Sequence, residues 1–486
     1  MITLTYEDAA HLLRRAGFCG SPDEIDQTAS LGREGAVSSL IDYEQIGNRA
    51  LDDLIQGSFN FSDPLDLPRF NRGELQRWWF TRMVYTRRPF EEKMTMFWHN
   101  HFATSASKTG DLFIYIQNRT FRDHALDQFD SLLLRTAQDP AMLLWLDGVT
   151  NVSGKPNENF ARELQELFTM GINDVVTGEK NYTENDVKEI ARTFTGWKFF
   201  HFPNDPNPFS FQFIVNPTEH DNTTKTIYAG SQWEHTGNLD GSDVIGVICA
   251  RRATARYLVK KLFEFFVYPL TSSAADKTTI EKFADIYFAR NHSIKELVRA
   301  IFTSDEFFSP RARFALVKSP VELIVGSIRM VGARYNPGTS TRENASNNIL
   351  AAFSIFLGQD LFNPPDVSGW KLNLGWINTS TLLNRFTYAD LLAVSRTPDP
   401  TVPGLWITHE QLRSLAKKNS KKTVKRMLST LGPLDVDSDV IAALRQYLES
   451  DDQGNPIGFM IDDFALDKKV RGLIHLIMCL SEYQLN

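Results

Sequence analysis

Cysteine is scarce in this chain of 486 residues: Cys19, Cys249 and Cys479 are the only three, far apart and odd in number. They offer no metal-ligand spacing and no disulfide framework, and a reducing compartment is the simpler expectation. Long apolar runs are missing as well. Nothing approaches the ~18 uninterrupted apolar residues of a membrane span. The opening Met-Ile-Thr-Leu-Thr-Tyr-Glu-Asp has neither the basic nor the apolar region of an export signal. The chain as given is therefore expected in the cytoplasm, with export left open if an upstream segment has been removed. Dense positive charge is absent too, the formal net charge being −7. The one lysine-rich run, Lys417–Lys425, reads as a solvated helix face, so no nucleic-acid partner is expected. Gly358–Trp370 contains glycines, but not in the order of a phosphate-cradling loop. No G-x-S-x-G elbow occurs. Nothing in the pattern addresses oligomeric state.

What is present is an ordinary globular balance, 42% hydrophobic and 23% charged, with ample material for a core. Apolar residues recur at helical spacing along most of the chain, behind strong start signals. Thr5-x-x-Asp8, Ser21-Pro22-Asp23-Glu24 and Thr183-x-x-Asp186 each read as a capped helix start. Helices are predicted over 74–87, from Pro89 through His101, over 111–126, 242–267, 276–290, 293–303, 311–332, 345–357 and 379–394. Around 198–232 the period changes. Phe209, Phe211, Phe213 and Val215 alternate with polar or smaller neighbours, and Thr226-Ile227-Tyr228 is the expected returning strand. The fold class is thus mainly α: a large multi-helix domain with a small β-hairpin insertion. Residues 1–395 form the main body. The Pro-rich stretch near 396–404 leads into a C-terminal helical extension, 396–486, expected to pack on it as part of the same domain.

The segment Asn157–Phe168 organises the candidate chemistry. As a helix, it places Phe160, Leu164, Leu167 and Phe168 on a buried stripe. Asn159, Arg162, Glu163 and Glu166 gather opposite, with Glu163 at the border. Pro156 suits the first helical turn, and Gly171 the C-terminal closure. Two carboxylates at i, i+3 can share a divalent cation if a histidine from elsewhere in the chain joins them, and His101 is the best donor. Arg162 beside them offers the structural alternative, an ion-pair network. His99-x-His101 would share a face in a strand. In a continuous helix the two imidazoles point about 200° apart, and they converge only if the helix stops near Asn100. His220-Asp221, in a loop, has the residue types for proton transfer, with an Asx turn at Asp221 as the alternative.

At these residues the chain resembles a bacterial family, the domain of unknown function 1800. The similarity runs through His11–Phe18, Glu92–Ser105, Asp139–Leu143, Pro156–Phe168, Tyr182-Thr183-Glu184 and Ala191–Trp197. It continues at His220-Asp221, Val317–Glu322 and Pro364–Trp370, in order along most of the chain. The family has no agreed activity. Its members are often encoded beside a second family related to sulfatases and alkaline phosphatases, and many carry export signals. The resemblance places His99, His101, Glu158, Glu163, Glu166 and His220 in signature stretches and implies no role for any of them.

Two functions follow as expectations. One is a metal-dependent enzyme, with a divalent cation on His99, His101, Glu163 and Glu166, and with His220, Asp221 and Glu158 as the catalytic groups. Hydrolysis is then the first reaction to test and non-haem redox chemistry the next. The other is a non-catalytic helical scaffold, partner to the sulfatase- or phosphatase-like protein. In that case the same histidines and glutamates hold the core through buried hydrogen bonds.

Overall fold

Helix starts fall where the polar caps place them. In a computed structural model describing residues 3–59, 61, 70–200, 210–341, 348–396 and 401–486, Thr5 caps Tyr6–Ala16 in a box with Asp8. Ser21 does the same for Pro22–Ser30 with Glu24, and Thr183 for Glu184–Thr193 with Asp186. Each hydroxyl accepts the N–H three residues on, and that residue's carboxylate takes the cap's own N–H, so two orphan donors of the first turn are satisfied together. The run 242–267 is split into Gly241–Ala250 and Arg252–Phe266. The helix expected over 311–332 begins only at Pro320, where Ser319 and Glu322 form a further box. Among the described residues, no helix is long and apolar enough to cross a membrane.

The strands form three two-stranded antiparallel sheets among the described residues. Trp197–Phe200 pairs with Gln212–Val215. The return strand expected at Thr226–Tyr228 does not join that hairpin, because Lys225–Ile227 pairs with His235–Gly237 instead. The Asn216 N–H donates to Gly196 O at 2.7 Å, one rung beyond the Trp197 and Val215 pair, and the chain leaves the first hairpin there. Phe209, part of the predicted alternation, lies outside the described residues. A third pair joins Arg334–Asn336 to Gly404–Trp406.

Two large apolar cores carry the fold. The first draws on helices between Leu4 and Ala312. The second combines Phe18–Tyr115, Val321–Ala393 and Leu405–Tyr483, so the C-terminal stretch packs into the same core as residues 321–393. The helix Pro89–His101 belongs to both: Phe90, Met94, Phe97 and Trp98 enter the first and Met96 the second. A helix with an apolar group on every side is a buried one, and every residue from Phe90 to His99 is indeed buried, including Glu91, Glu92 and Lys93. That two-sided burial positions the candidate site.

Candidate functional site

The Pro89–His101 helix does not stop at Asn100. It continues through His101, with the Phe102 N–H returning to Trp98 O, so consecutive side chains at its end leave in different directions. His99 faces the rings of Trp79, Phe362 and Trp370, with centroids 5.4, 5.4 and 5.6 Å away. Its Nε2 accepts the Phe362 N–H at 3.1 Å. His101 lies among Phe97, Trp98 and Phe102. Its Nε2 is 3.0 Å from Phe168 O, and a carbonyl can only accept, so this nitrogen carries the proton. Between them, Asn100 Oδ1 accepts the Trp370 N–H at 2.7 Å. Three successive side chains thus fasten one helix end to three distant backbone segments.

Burial pushes both imidazoles down to about 3, with Lys261 adding to the effect at His101. They are neutral in the fold and poor general bases near pH 7. In the unfolded chain they bind a proton below their ordinary 6.5, so the stability they share in is present above that pH and is lost as the pH falls towards 3. His99→Gln keeps an acceptor for Phe362 but cannot titrate. Urea unfolding across pH should then give a stability curve flatter by about 1.4 kcal/mol per pH unit between roughly pH 6 and 4. An unchanged slope would mean that His99 is charged in the fold.

The central helix is shorter than its pattern implied. It spans Asn159–Glu166, with Glu158 in the N-cap position, so Pro156 stands outside it. Phe168, although outside the helix, is buried with Phe160 and Leu164. The close comes from Gly171, whose φ of 75° lets its N–H and that of Met170 both donate to Gln165 O at 3.0 Å. On the polar side, Arg162 grips Glu184 with two bonds of 2.9 and 2.8 Å and reaches Glu158 at 3.2 Å. Glu158 therefore sits in the ion-pair network, at a half-exposed position where such pairs contribute little. Glu166 accepts from the Tyr182 hydroxyl at 3.2 Å. The Glu163 carboxylate has no hydrogen bond or ion pair among the described residues. Its partial burial, and then the nearby Glu166, raise its pKa.

His220 and Asp221 turn to different partners. His220 Nδ1 donates to Thr195 O at 2.8 Å. Asp221 accepts Arg192 Nε at 2.8 Å and the Thr223 N–H at 2.9 Å, the latter being the Asx turn. Burial works against the Asp221 charge, but the bonds from Arg192 and Thr223 outweigh it and hold the carboxyl well below its usual range. The loop is also sewn down by its backbone. Gly196 N–H donates to Asn151 O at 2.9 Å, and Ser153 N–H to Glu219 O at 2.7 Å.

Among the described residues, no three His, Cys, Asp or Glu side chains converge in a way that would hold a metal ion. The most heavily bonded buried charges in this region lie outside the motifs above. Glu92, fully buried, accepts from Trp79 Nε1 at 2.9 Å, Arg82 Nε at 2.8 Å and Arg122 Nε and Nη2 at 2.9 Å. Lys93, next in sequence, pairs with Glu322. A signal existed: Glu91-Glu92-Lys93 interrupts a helix whose other positions are aromatic or methionine on nearly every side, and charges there must be buried and paired.

The family model described as "Protein of unknown function (DUF1800)" matches residues 11–485, and the chain belongs to that family. No curated protein and no solved structure was found to match it.

Proposed function

For a member of a family without an assigned activity, we propose a non-catalytic role: a helical scaffold in which the His99-Asn100-His101 segment is a structural staple. One observation carries this reading. All three side chains are committed to backbone groups, Phe362 N–H, Trp370 N–H and Phe168 O, with both imidazoles buried and neutral. The partner proposed is the sulfatase- or phosphatase-like protein that the family resemblance implies, and co-purification of the two chains from a shared expression host tests it.

A second reading, a metal-dependent hydrolase or non-haem redox enzyme, draws on a different observation. Among the described residues the Glu163 carboxylate has no partner, and His101 Nδ1 is buried without one. Elemental analysis of purified protein separates the two. The scaffold reading expects no stoichiometric metal. It also expects Glu163→Ala to change stability by no more than about 1 kcal/mol, since the variant removes a half-exposed, unbonded carboxylate. A metal that is bound in the native chain and lost in Glu163→Ala would reverse the choice.

A further inference from the structure

Away from the staple, a cavity of about 230 Å³ opens between the end of the Arg252–Phe266 helix, the segment Leu316–Glu322 and the turn Leu372–Trp376. Its walls are apolar and aromatic at Phe265, Leu316, Leu372 and Trp376. Among the described residues, the charged groups lining it are two carboxylates, Glu264 and Glu322, and no lysine or arginine. Each carboxylate is held in place from elsewhere. Glu264 Oε1 takes both the Lys260 Nζ bond at 2.6 Å and the Leu270 N–H at 3.1 Å, which leaves Oε2 without a partner among the described residues. Glu322 bonds Lys93 through Oε1 and the Ser319 N–H at 2.7 Å through Oε2.

We propose that this cavity binds a small organic ammonium ion with a compact apolar body. Fixed acceptors beside the aromatic side chains of Phe265 and Trp376 suit a cation that also donates hydrogen bonds. The volume is below the roughly 300–1,000 Å³ of pockets for drug-sized ligands and equals about eight waters at ~30 Å³ each, which confines the body to a few carbons. Lys93 and Lys260 already balance the two carboxylates, so recognition rests on short-range contact with Glu264 Oε2 and the rings rather than on a long-range field. The site is independent of the staple and of the scaffold reading.

The experiment titrates the full chain with n-butylammonium chloride, n-butanol and sodium butyrate at matched ionic strength. Trp376 in the wall permits a fluorescence readout, with thermal unfolding alongside. The expected result is saturable binding of butylammonium at millimolar concentration, with no saturable response to the other two. Glu264→Gln should weaken it about tenfold, the loss of one charge-assisted hydrogen bond. Circular dichroism and the unliganded unfolding midpoint report whether that variant is folded. Should it misfold, Leu372→Trp, which fills the partly exposed rim, gives the same comparison. Equal binding of butanol, stronger binding of butyrate, or no saturable response to any probe would each overturn the proposal.

Discussion

Replacing Glu92 with alanine is expected to cost the fold about 3–5 kcal/mol, the loss seen when one partner of a buried charge network is removed. The carboxylate is fully buried, and two guanidinium groups and an indole N–H converge on it. Removing it leaves Arg122, itself 6% exposed at the side chain, without its ion-pair partner. Urea unfolding at neutral pH measures the effect directly. The same network gives a pH dependence with a definite sign. Burial alone would raise the pKa of Glu92, but Arg122 and Arg82 bring it down from 4.5 to about 2. A carboxyl depressed in the fold contributes stability that is present above its unfolded pKa and lost as the pH falls through the folded one. The native chain should therefore lose about 3 kcal/mol from this source between about pH 4.5 and 2, on top of the histidine contribution that begins at higher pH. Glu92→Ala should remove that acid limb, and a variant that keeps it would show that another carboxylate is responsible.

Gly196→Ala should be nearly as damaging, by about 2–5 kcal/mol from a strained backbone and an overfilled site together. Gly196 has a φ of 76°, and a Cβ there would meet Asn216 O at 2.7 Å and His220 N at 2.9 Å. Both are backbone atoms and cannot rotate aside. A control is available in Gly230, whose φ of 75° is nearly the same but whose added Cβ meets nothing within 4 Å. Gly230→Ala should cost only the left-handed conformation, about 1–2 kcal/mol. Hydrogen exchange supplies the local readout. In Gly196→Ala the amides of Ser153 and Asn216 should lose protection, because their acceptors, Glu219 O and Gly196 O, belong to the same knot. Equal costs for the two glycines would mean that the loop carrying His220 is not anchored as described.

Glu92 and Gly196 lie in stretches that resemble the family, and polar groups of several such stretches bond distant backbone segments. His11 donates to Phe307 O, Asn100 holds the Trp370 N–H, Ser319 caps the Pro320–Val331 helix, and Thr195-Gly196 fastens the His220 loop. Gly369 repeats the logic of Gly196: with a φ of 78°, it leaves room for no Cβ beside Asn100 O, which would stand 2.5 Å away. Residue types that read as chemistry in a linear pattern here bond segments far apart in the chain, as the scaffold proposal requires.

The mainly helical class, the capped starts at Thr5, Ser21 and Thr183, and the alternation of Phe211 and Phe213 were all legible in the residue order. Each depends on contacts three or four residues apart, or on a period that shows in the residue order. The angular separation of His99 and His101 was legible too, as a conditional statement about one helix. What only the tertiary structure decided is where those side chains end. His99 meets a backbone N–H 263 residues away and His101 a carbonyl 67 residues away. The hairpin chose Trp197–Phe200 over Thr226–Tyr228, and Glu92 drew two arginines from other helices. Local preferences set each segment's conformation, but the pairing of buried polar groups depends on which segments the two cores press together, and no spacing along the chain encodes that.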